Sequence, residues 1–180
     1  MYAFEYQRPT SRADAVSAAG GDVRYLAGGQ SLIQAMKLRL SQSERLVDLG
    51  AVADLKGIKV DGSGVTIGAM TTHAAVAASA EVRRAIPALA ELAGGIGDPM
   101  VRNMGTIGGS IANADPAADY PAAVLGLNAT VACVAVAPIT RFEPSIRIVF
   151  RSLIAPRSTS RSLCDSRSFI AWIRLWPPAR

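Results

Sequence analysis

The sequence lacks the features that mark several large classes of protein. It has two cysteines, Cys133 and Cys164, which are too few and too far apart to suggest a disulfide framework or a cysteine-based metal site. It has no run of about 18 apolar residues, the length that a transmembrane helix needs. Its first residues show neither the basic nor the apolar segment of a secretion signal. We therefore expect a cytoplasmic protein.

Residues 138–180 lack glycine and lysine altogether. They contain eight arginines, both tryptophans and two acidic residues, whereas all 16 glycines lie in residues 1–137. The overall net charge of +5 therefore belongs to this tail, because residues 1–137 carry 11 basic and 12 acidic side chains. A nucleic-acid-binding function of the body of the chain has no support in this charge distribution.

Two interpretations of the tail stay open. A segment rich in Arg and Ser with no clear period is typical of a disordered basic tail. The abrupt change of composition is also typical of a GC-rich gene translated in a shifted frame. We divide the chain into a folded part, residues 1–137, and an atypical tail, residues 138–180, in which 146–150 is the one candidate strand.

Two glycine pairs, each followed within two residues by a serine, dominate the folded part. They lie in residues 27–31 and 105–110, where an apolar run gives way to a loop or a helix start. Glycine has no Cβ, so an anion can approach the main-chain N–H groups closely. A following helix presents its free N–H groups to the same anion. Two such loops in one domain suggest one ligand with a pyrophosphate, held from two sides.

The remaining pattern mixes short strands and short helices. The clearest local signal is a β-hairpin, in which residues 58–60 and 65–67 alternate around an Asp-Gly-Ser-Gly turn. Pro87 predicts a break in an otherwise helical segment, residues 82–92, and residues 94–99 read as a loop. The predicted class is α/β or α+β. Further strands are expected at 4–7, 23–26, 45–49 and 130–136, and further helices after Ser11, after Ser31 with Leu40 on its apolar face, after Thr71 or Thr72, and over 120–127.

The glycine motifs and their surroundings resemble the flavin-binding medium subunit of carbon monoxide dehydrogenase and related molybdenum hydroxylases. The motifs that carry the resemblance follow one another in the family's order and spacing over about residues 1–135. They are Phe4-x-Tyr6-x-Arg8-Pro9, the segment 26–33, Leu46-Val47-Asp48-Leu49, the segment 67–72, the segment 104–110, and Asn113-x-Asp115-Pro116-x-x-Asp119-x-Pro121-Ala122.

The resemblance implies an α+β fold of the vanillyl-alcohol-oxidase (PCMH) type. In that fold a small N-terminal α/β subdomain and a second α+β subdomain hold FAD between them. By this resemblance, the chain is expected to have the first subdomain and only the beginning of the second, so that the second subdomain is incomplete.

The resemblance also implies which residues bind FAD. Both glycine loops are expected to wrap the pyrophosphate through main-chain N–H groups, Asp119 to accept hydrogen bonds from the ribose of the adenosine half, and Ile96 to lie near the flavin. The implied cofactor-binding residues are Ala27, Gly28, Gly29, Gln30, Ser31, Leu32, Ile96, Thr106, Ile107, Gly108, Gly109, Ser110 and Asp119.

The implied function is that of an oxidoreductase subunit. Electrons from a molybdenum-cofactor large subunit would cross a [2Fe-2S] small subunit, reach FAD and leave to an external acceptor, within a dimer of heterotrimers. No catalytic residue, bound metal, nucleic acid or transmembrane segment is implied for this chain. Two alternatives stay open: a truncated, non-catalytic remnant with weak or no FAD binding, and a stand-alone oxidase of the vanillyl-alcohol type.

Two other nucleotide-binding motifs are excluded by the sequence, and several single residues have simple structural explanations. Neither glycine pair is followed by the lysine of a Walker loop, and no G-x-G-x-x-G of a Rossmann fold opens a helix. We interpret Asp115 as a turn cap and His73 as a polar residue on a short helix rather than a proton donor. Cys133 is expected to face the core from a strand.

Overall fold

The computed structural model describes residues 1–61, 64–132 and, as backbone, 147–150. Eight helices and seven strands are assigned within this part of the chain. In chain order they are β1 Glu5–Gln7, α1 Arg12–Ser17, β2 Val23–Leu26, α2 Leu32–Lys37, β3 Arg45–Asp48, β4 Ile58–Asp61, β5 Gly64–Gly68, α3 His73–Ala78, α4 Ala80–Ala85, α5 Pro87–Gly95, α6 Pro99–Met104, α7 Ile107–Asn113, α8 Asp119–Gly126, β6 Thr130–Ala132 and β7 Arg147–Phe150, with two 3-10 turns at Leu49–Ala51 and Ala53–Leu55.

The N-terminal part is a small parallel sheet in the order β1-β3-β2. Helices connect the strands, as parallel pairing requires. The first helix begins where predicted, because the Ser11 side chain accepts a hydrogen bond from the Asp14 amide at 3.1 Å. In the register, Leu26 at the end of β2 lies beside Asp48 at the end of β3. The carboxyl ends of the three strands therefore share one edge of the sheet.

The second part combines helices with an antiparallel sheet in the order β4-β5-β7-β6. The predicted hairpin is confirmed as β4 and β5, with Ile58 paired to Ile67. Helix α4 ends before Pro87, which begins α5, as the sequence predicts. Thr72 caps α3 by accepting a hydrogen bond from the Ala75 amide at 3.3 Å.

Each part has its own hydrophobic core. The N-terminal cluster contains Val47 and Val52, both fully buried, together with Met70 from the second part of the chain. The second cluster joins β5 to helices α3, α5, α7 and α8 through residues such as Ile67, Leu89 and Ile107. The mixed α+β architecture predicted from the sequence is present. The first glycine loop packs Ala27 against the N-terminal cluster, and the second contributes Ile107 to the other cluster.

Two local predictions were wrong. Leu40 is not on the apolar face of α2, because the helix ends at Lys37, Arg39 adopts a φ of 60°, and the Leu40 side chain is 79% exposed. Gly94 and Gly95 are not loop residues but the last turn of α5, which packs along α3. Tertiary packing outweighs the low helix propensity of glycine at these positions.

The candidate strand in the tail is present as β7, residues Arg147–Phe150, between β5 and β6. The strand predicted at 130–136 is observed as β6 for the residues described, Thr130–Ala132. The prediction for Cys133 and, apart from β7, the two interpretations of the tail concern residues outside the described part of the chain.

Candidate functional site

The first glycine loop, residues 27–31, lies at the carboxyl edge of the parallel sheet. It follows β2 directly and leads into α2. Gly29 has a φ of 73°, a conformation that favours glycine, and its carbonyl accepts a hydrogen bond from the Ile33 amide. Within the described residues, the amides of Gly29, Gln30 and Ser31 donate to no other group. The loop therefore offers a run of unused backbone donors.

The second glycine loop, residues 105–110, is held by the segment after β5. The Thr72–Thr106 bridge joins them, the Ile107 amide donates to the Thr71 carbonyl at 3.1 Å, and the Gly108 amide donates to the Ala69 carbonyl at 2.9 Å. Thr106 caps α7, since its hydroxyl accepts from the Gly109 amide at 3.1 Å. The Gly105 and Ser110 amides donate to the Val101 and Thr106 carbonyls, so five of the six amides of this loop already have protein acceptors. Its contribution to an anion site shifts toward the Thr106 amide and the hydroxyls of Thr106 and Ser110.

The two glycine loops touch each other. A Cβ at Gly28 would lie 2.2 Å from the Met104 carbonyl oxygen and 2.7 Å from the Gly105 Cα. A Cβ at Gly109 would lie 3.1 Å from the Ala27 Cβ. Gly28 and Gly109 therefore bring the backbones of the two loops together. The fold unites the two motifs that the sequence places far apart.

Gly108 has a different role. A Cβ there would lie 2.5 Å from the Ala69 Cβ, beneath the second loop. This glycine lets α7 pack against the segment after β5, so its place in the motif has a structural explanation independent of any ligand.

Asp119 is the first residue of α8, which packs on α7. Its side chain is exposed and forms no hydrogen bond or ion pair with the described residues. A free carboxylate with two acceptor oxygens suits the two hydroxyls of a ribose.

Asp115, in contrast, accepts a hydrogen bond from the Ala117 amide at 2.9 Å, which confirms its predicted role as a turn cap.

Ile96 follows α5 and packs, half-buried, against the second hydrophobic cluster. Its carbonyl accepts a hydrogen bond from Arg102 on α6 at 3.1 Å. Helix α6 leads directly into the second glycine loop. Sequence analysis missed this helix and its arginine, although the Asp98-Pro99 pair is a helix-start signal.

Tyr6, Arg8 and Asp48, which sequence analysis named only as motif residues, meet at the sheet edge beside the first glycine loop. Asp48 accepts hydrogen bonds from the Tyr6 hydroxyl at 2.5 Å and the Gly50 amide at 2.7 Å, and its carboxylate is 3.3 Å from Arg8. The bond to Asp48 raises the pKa of the Tyr6 hydroxyl. These contacts fix the turn after β3, next to the end of β2.

The single histidine lies beneath the second glycine loop. The His73 amide donates to the Gly105 carbonyl at 3.1 Å, and a Cβ at Gly105 would lie 2.6 Å from His73 Nε2. Burial lowers the pKa of His73 from 6.5 to about 4, so the ring is neutral at physiological pH. The prediction that His73 is a polar residue on a short helix is confirmed, and the ring is buried against Tyr120, with centroids 5.2 Å apart.

The site fits a diphosphate ligand better than it fits acid–base or metal chemistry. It combines unused backbone amides in the first loop with hydroxyls in the second, and Asp119 on α8 adds an exposed carboxylate without a hydrogen bond to the described residues. In the part of the chain that the structure describes, no three His, Cys, Asp or Glu side chains form a metal-binding group. In the same part, no helix is long and apolar enough to cross a bilayer.

Comparison with known families decides between the possible diphosphate ligands. Residues 2–143 match the model of the FAD binding domain in molybdopterin dehydrogenases. The chain belongs to this family. Membership confirms the predicted family and the predicted cofactor, FAD, and the curated relatives are subunits of dehydrogenases.

Curated relatives in this FAD-binding family include medium chains of carbon monoxide dehydrogenase. The chain is 49% identical over 129 residues to the protein of Afipia carboxidovorans and 46% identical over 129 residues to that of Hydrogenophaga pseudoflava. Each match covers 70% of this chain and 45% of the relative. The xanthine dehydrogenase FAD-binding subunit of Escherichia coli O157:H7 is 33% identical over 118 residues, covering 63% of this chain and 40% of the relative.

Solved structures of the family confirm the fold. Carbon monoxide dehydrogenase from Hydrogenophaga pseudoflava, lacking the Mo-pyranopterin moiety of its cofactor, superimposes with a TM-score of 0.76 at 37% identity. Quinoline 2-oxidoreductase from Pseudomonas putida 86 gives 0.77 at 29% identity. Each match covers 84% of this chain and 60% of the other. The chain thus spans less than half the length of the two carbon monoxide dehydrogenase relatives compared above and about three fifths of these structures.

Proposed function

We propose that this chain binds FAD at the two touching glycine loops and serves as the flavin subunit of a molybdenum-containing dehydrogenase. The observation that carries the proposal is the contact between Gly28 and Gly105, which brings the loop with the unused amides against the second glycine loop. In this arrangement the pyrophosphate would lie against residues 29–31 on one side and against Thr106 and Ser110 on the other.

The other contacts of the cofactor are proposed from the same site. Asp119 would accept hydrogen bonds from the ribose of the adenosine half, and Ile96 would lie near the flavin. Bound FAD supplies the redox chemistry through its own ring, while the protein binds and orients it. Residues 1–137 would form the FAD-binding part of the chain, with 138–180 as a separate, atypical tail.

The proposed partners follow from the family. Relatives are subunits of multi-subunit dehydrogenases, such as the medium chains of carbon monoxide dehydrogenase. This chain would receive electrons from a [2Fe-2S] small subunit, downstream of a molybdenum-cofactor large subunit, and pass them to an external acceptor. The assembly would be a cytoplasmic dimer of heterotrimers.

The test is the visible spectrum of the full chain after incubation with FAD and desalting. We expect flavin bands that correspond to about one FAD per chain. We expect Asp119→Asn to weaken FAD binding about tenfold, as for a lost charge-assisted hydrogen bond. Asp115→Asn makes the same chemical change at a turn cap and is expected to leave the affinity unchanged.

A colourless wild-type protein would contradict the proposal and favour the non-catalytic remnant. Equal weakening by the two Asn substitutions would contradict the role of Asp119, because Asp115 caps a turn and has no proposed contact with FAD.

A further inference from the structure

The side chain of Arg102 ties helix α6 to the turn before it. One nitrogen, Nη1, donates to two successive carbonyls, at 3.1 Å to Ile96 and 2.9 Å to Gly97. Arg102 is half-buried, and it forms no ion pair with a carboxylate in the described residues. Its hydrogen bonds are thus directed at the backbone of this turn, residues 96–97.

The turn depends on α6 for its shape. Gly97 has a φ of 45°, and a Cβ there would lie 3.1 Å from the Val101 Cβ. Asp98 caps the helix by accepting from the Val101 amide at 2.9 Å. A helix of six residues has little stability of its own, so contacts of this kind decide whether it forms.

The other end of α6 contacts both glycine loops. The Met104 carbonyl and Gly105 lie against Gly28 of the first loop, and Thr106 of the second loop follows at once. Helix α6 therefore joins three segments: the 96–97 turn, the first loop and the second loop. The length of this six-residue helix sets the spacing between the three segments.

We propose that Arg102 is a positioning residue of the cofactor site, which holds the 96–97 turn at a fixed distance from the two glycine loops. This inference rests on the proposed function, in which the turn lies near the flavin ring and the loops hold the pyrophosphate. Arg102 acts through the backbone of Ile96 and Gly97, and it need not touch FAD. Its loss would misplace the ring end of the site and leave the diphosphate end intact.

The first test compares FAD with ADP, which carries the diphosphate and lacks the flavin. Calorimetric titration of the full chain gives the Kd of each ligand for wild type, Arg102→Gln and Arg102→Lys. Arg84→Gln is the control, because Arg84 is an exposed arginine in the last turn of α4. We expect Arg102→Gln to raise the Kd for FAD about tenfold or more while the Kd for ADP changes less than about threefold, since preorganisation is lost at one end only. Arg102→Lys should restore part of the FAD affinity.

The second test needs no ligand. Hydrogen exchange of backbone amides is measured over residues 96–105 in the same four proteins. We expect exchange in this segment to be about tenfold faster or more in Arg102→Gln and unchanged in Arg84→Gln. Local opening becomes easier when the hydrogen bonds from Arg102 to the turn are lost.

Three outcomes would overturn the inference: FAD affinity within about threefold of wild type in Arg102→Gln, an equal loss for FAD and ADP, or unchanged exchange. An equal loss would mean that Arg102 acts on the diphosphate. If the wild-type chain binds neither ligand, the proposed function fails. In that case the exchange measurement still tests the inference, because unchanged exchange in Arg102→Gln would show that Arg102 does not stabilise the 96–97 turn.

Discussion

At residue 28 the backbone leaves room for a hydrogen atom and nothing larger. The nearest atoms are the Met104 carbonyl and the Gly105 Cα, which are main-chain atoms and cannot rotate away as a side chain could. Sequence analysis explained the Gly-Gly motif by the close approach of an anion, and that explanation stays a prediction. It did not foresee that Gly28 lies against the backbone of the other glycine loop.

We predict that Gly28→Ala destabilises the chain by about 1–3 kcal/mol, as for a small-to-large change at a packed contact. It should also weaken FAD binding, because the two loops must separate. Urea unfolding and FAD titration measure the two effects. Gly94→Ala is the matched control: its Cβ would meet only the Ala77 Cβ, at 3.8 Å, on a helix. The free energy of unfolding of the control should rise by up to about 1 kcal/mol, because alanine has a higher helix propensity than glycine. Equal effects of the two substitutions would contradict the loop contact.

His73 gives the stability of the chain a pH dependence that can be measured. Burial lowers the pKa of His73 to about 4 in the folded chain from 6.5. Between these pH values the unfolded chain binds a proton that the folded chain does not, so the free energy of unfolding falls as the pH falls. At pH 5 the loss relative to pH 7 is about 2 kcal/mol.

The variant His73→Gln should lack this part of the pH dependence. The sequence has no other histidine, so the difference between the two unfolding curves at pH 7 and pH 5 reports this group. If wild type and variant lose the same free energy over that interval, the ring is not buried in its neutral form.

At the scale of secondary structure, the elements that were predicted correctly are those whose sequence signal lies within a short segment of the chain. The hairpin of β4 and β5 was predicted because both strands and their turn lie within one short segment. The break before Pro87 was predicted because proline acts through its own ring. Helix α6 was missed because it is six residues long and is stabilised by the Asp98 cap and by Arg102. The last turn of α5 was misread because packing against α3 overrides its two glycines.

Two helix caps of the same kind allow α6 to be tested as an element. Asp98 caps α6 through the Val101 amide at 2.9 Å, and Ser79 caps α4 through the Val82 amide at 3.2 Å. We predict that Asp98→Ala and Ser79→Ala each cost about 1 kcal/mol of stability. Only Asp98→Ala should weaken FAD binding, since α6 borders both glycine loops. Thermal unfolding and FAD titration separate the effects, and equal FAD affinities would show that α6 has no part in binding.

At the scale of the whole molecule, the order of the strands was beyond the reach of sequence analysis. Strand β7 comes from the segment with the atypical composition, yet its backbone lies between β5 and β6. Sequence analysis named 146–150 as the one candidate strand of the tail, but it did not predict the partners of this strand. Strands β5 and β7 are far apart along the chain, and their pairing depends on tertiary contacts that leave no local pattern in the sequence.

We predict that a chain ending at residue 137 is less stable than a chain ending at Phe150. The shorter chain loses the pairing of β7 with β5 and with β6. At about 1 kcal/mol for each backbone hydrogen bond, the loss should be several kcal/mol. Urea unfolding of both truncations measures it, and equal midpoints would show that β7 adds nothing to the sheet.

The contact between Gly28 and Gly105 also has a consequence for biosynthesis. Gly28 leaves the ribosome long before Gly105, by roughly 4–15 seconds at bacterial rates of elongation. During that interval the first glycine loop has no partner loop to lie against. The contact between the two loops therefore cannot form on the nascent chain until residue 105 has been made. Under the proposed function, FAD capture at both loops follows the synthesis of most of the FAD-binding part of the chain.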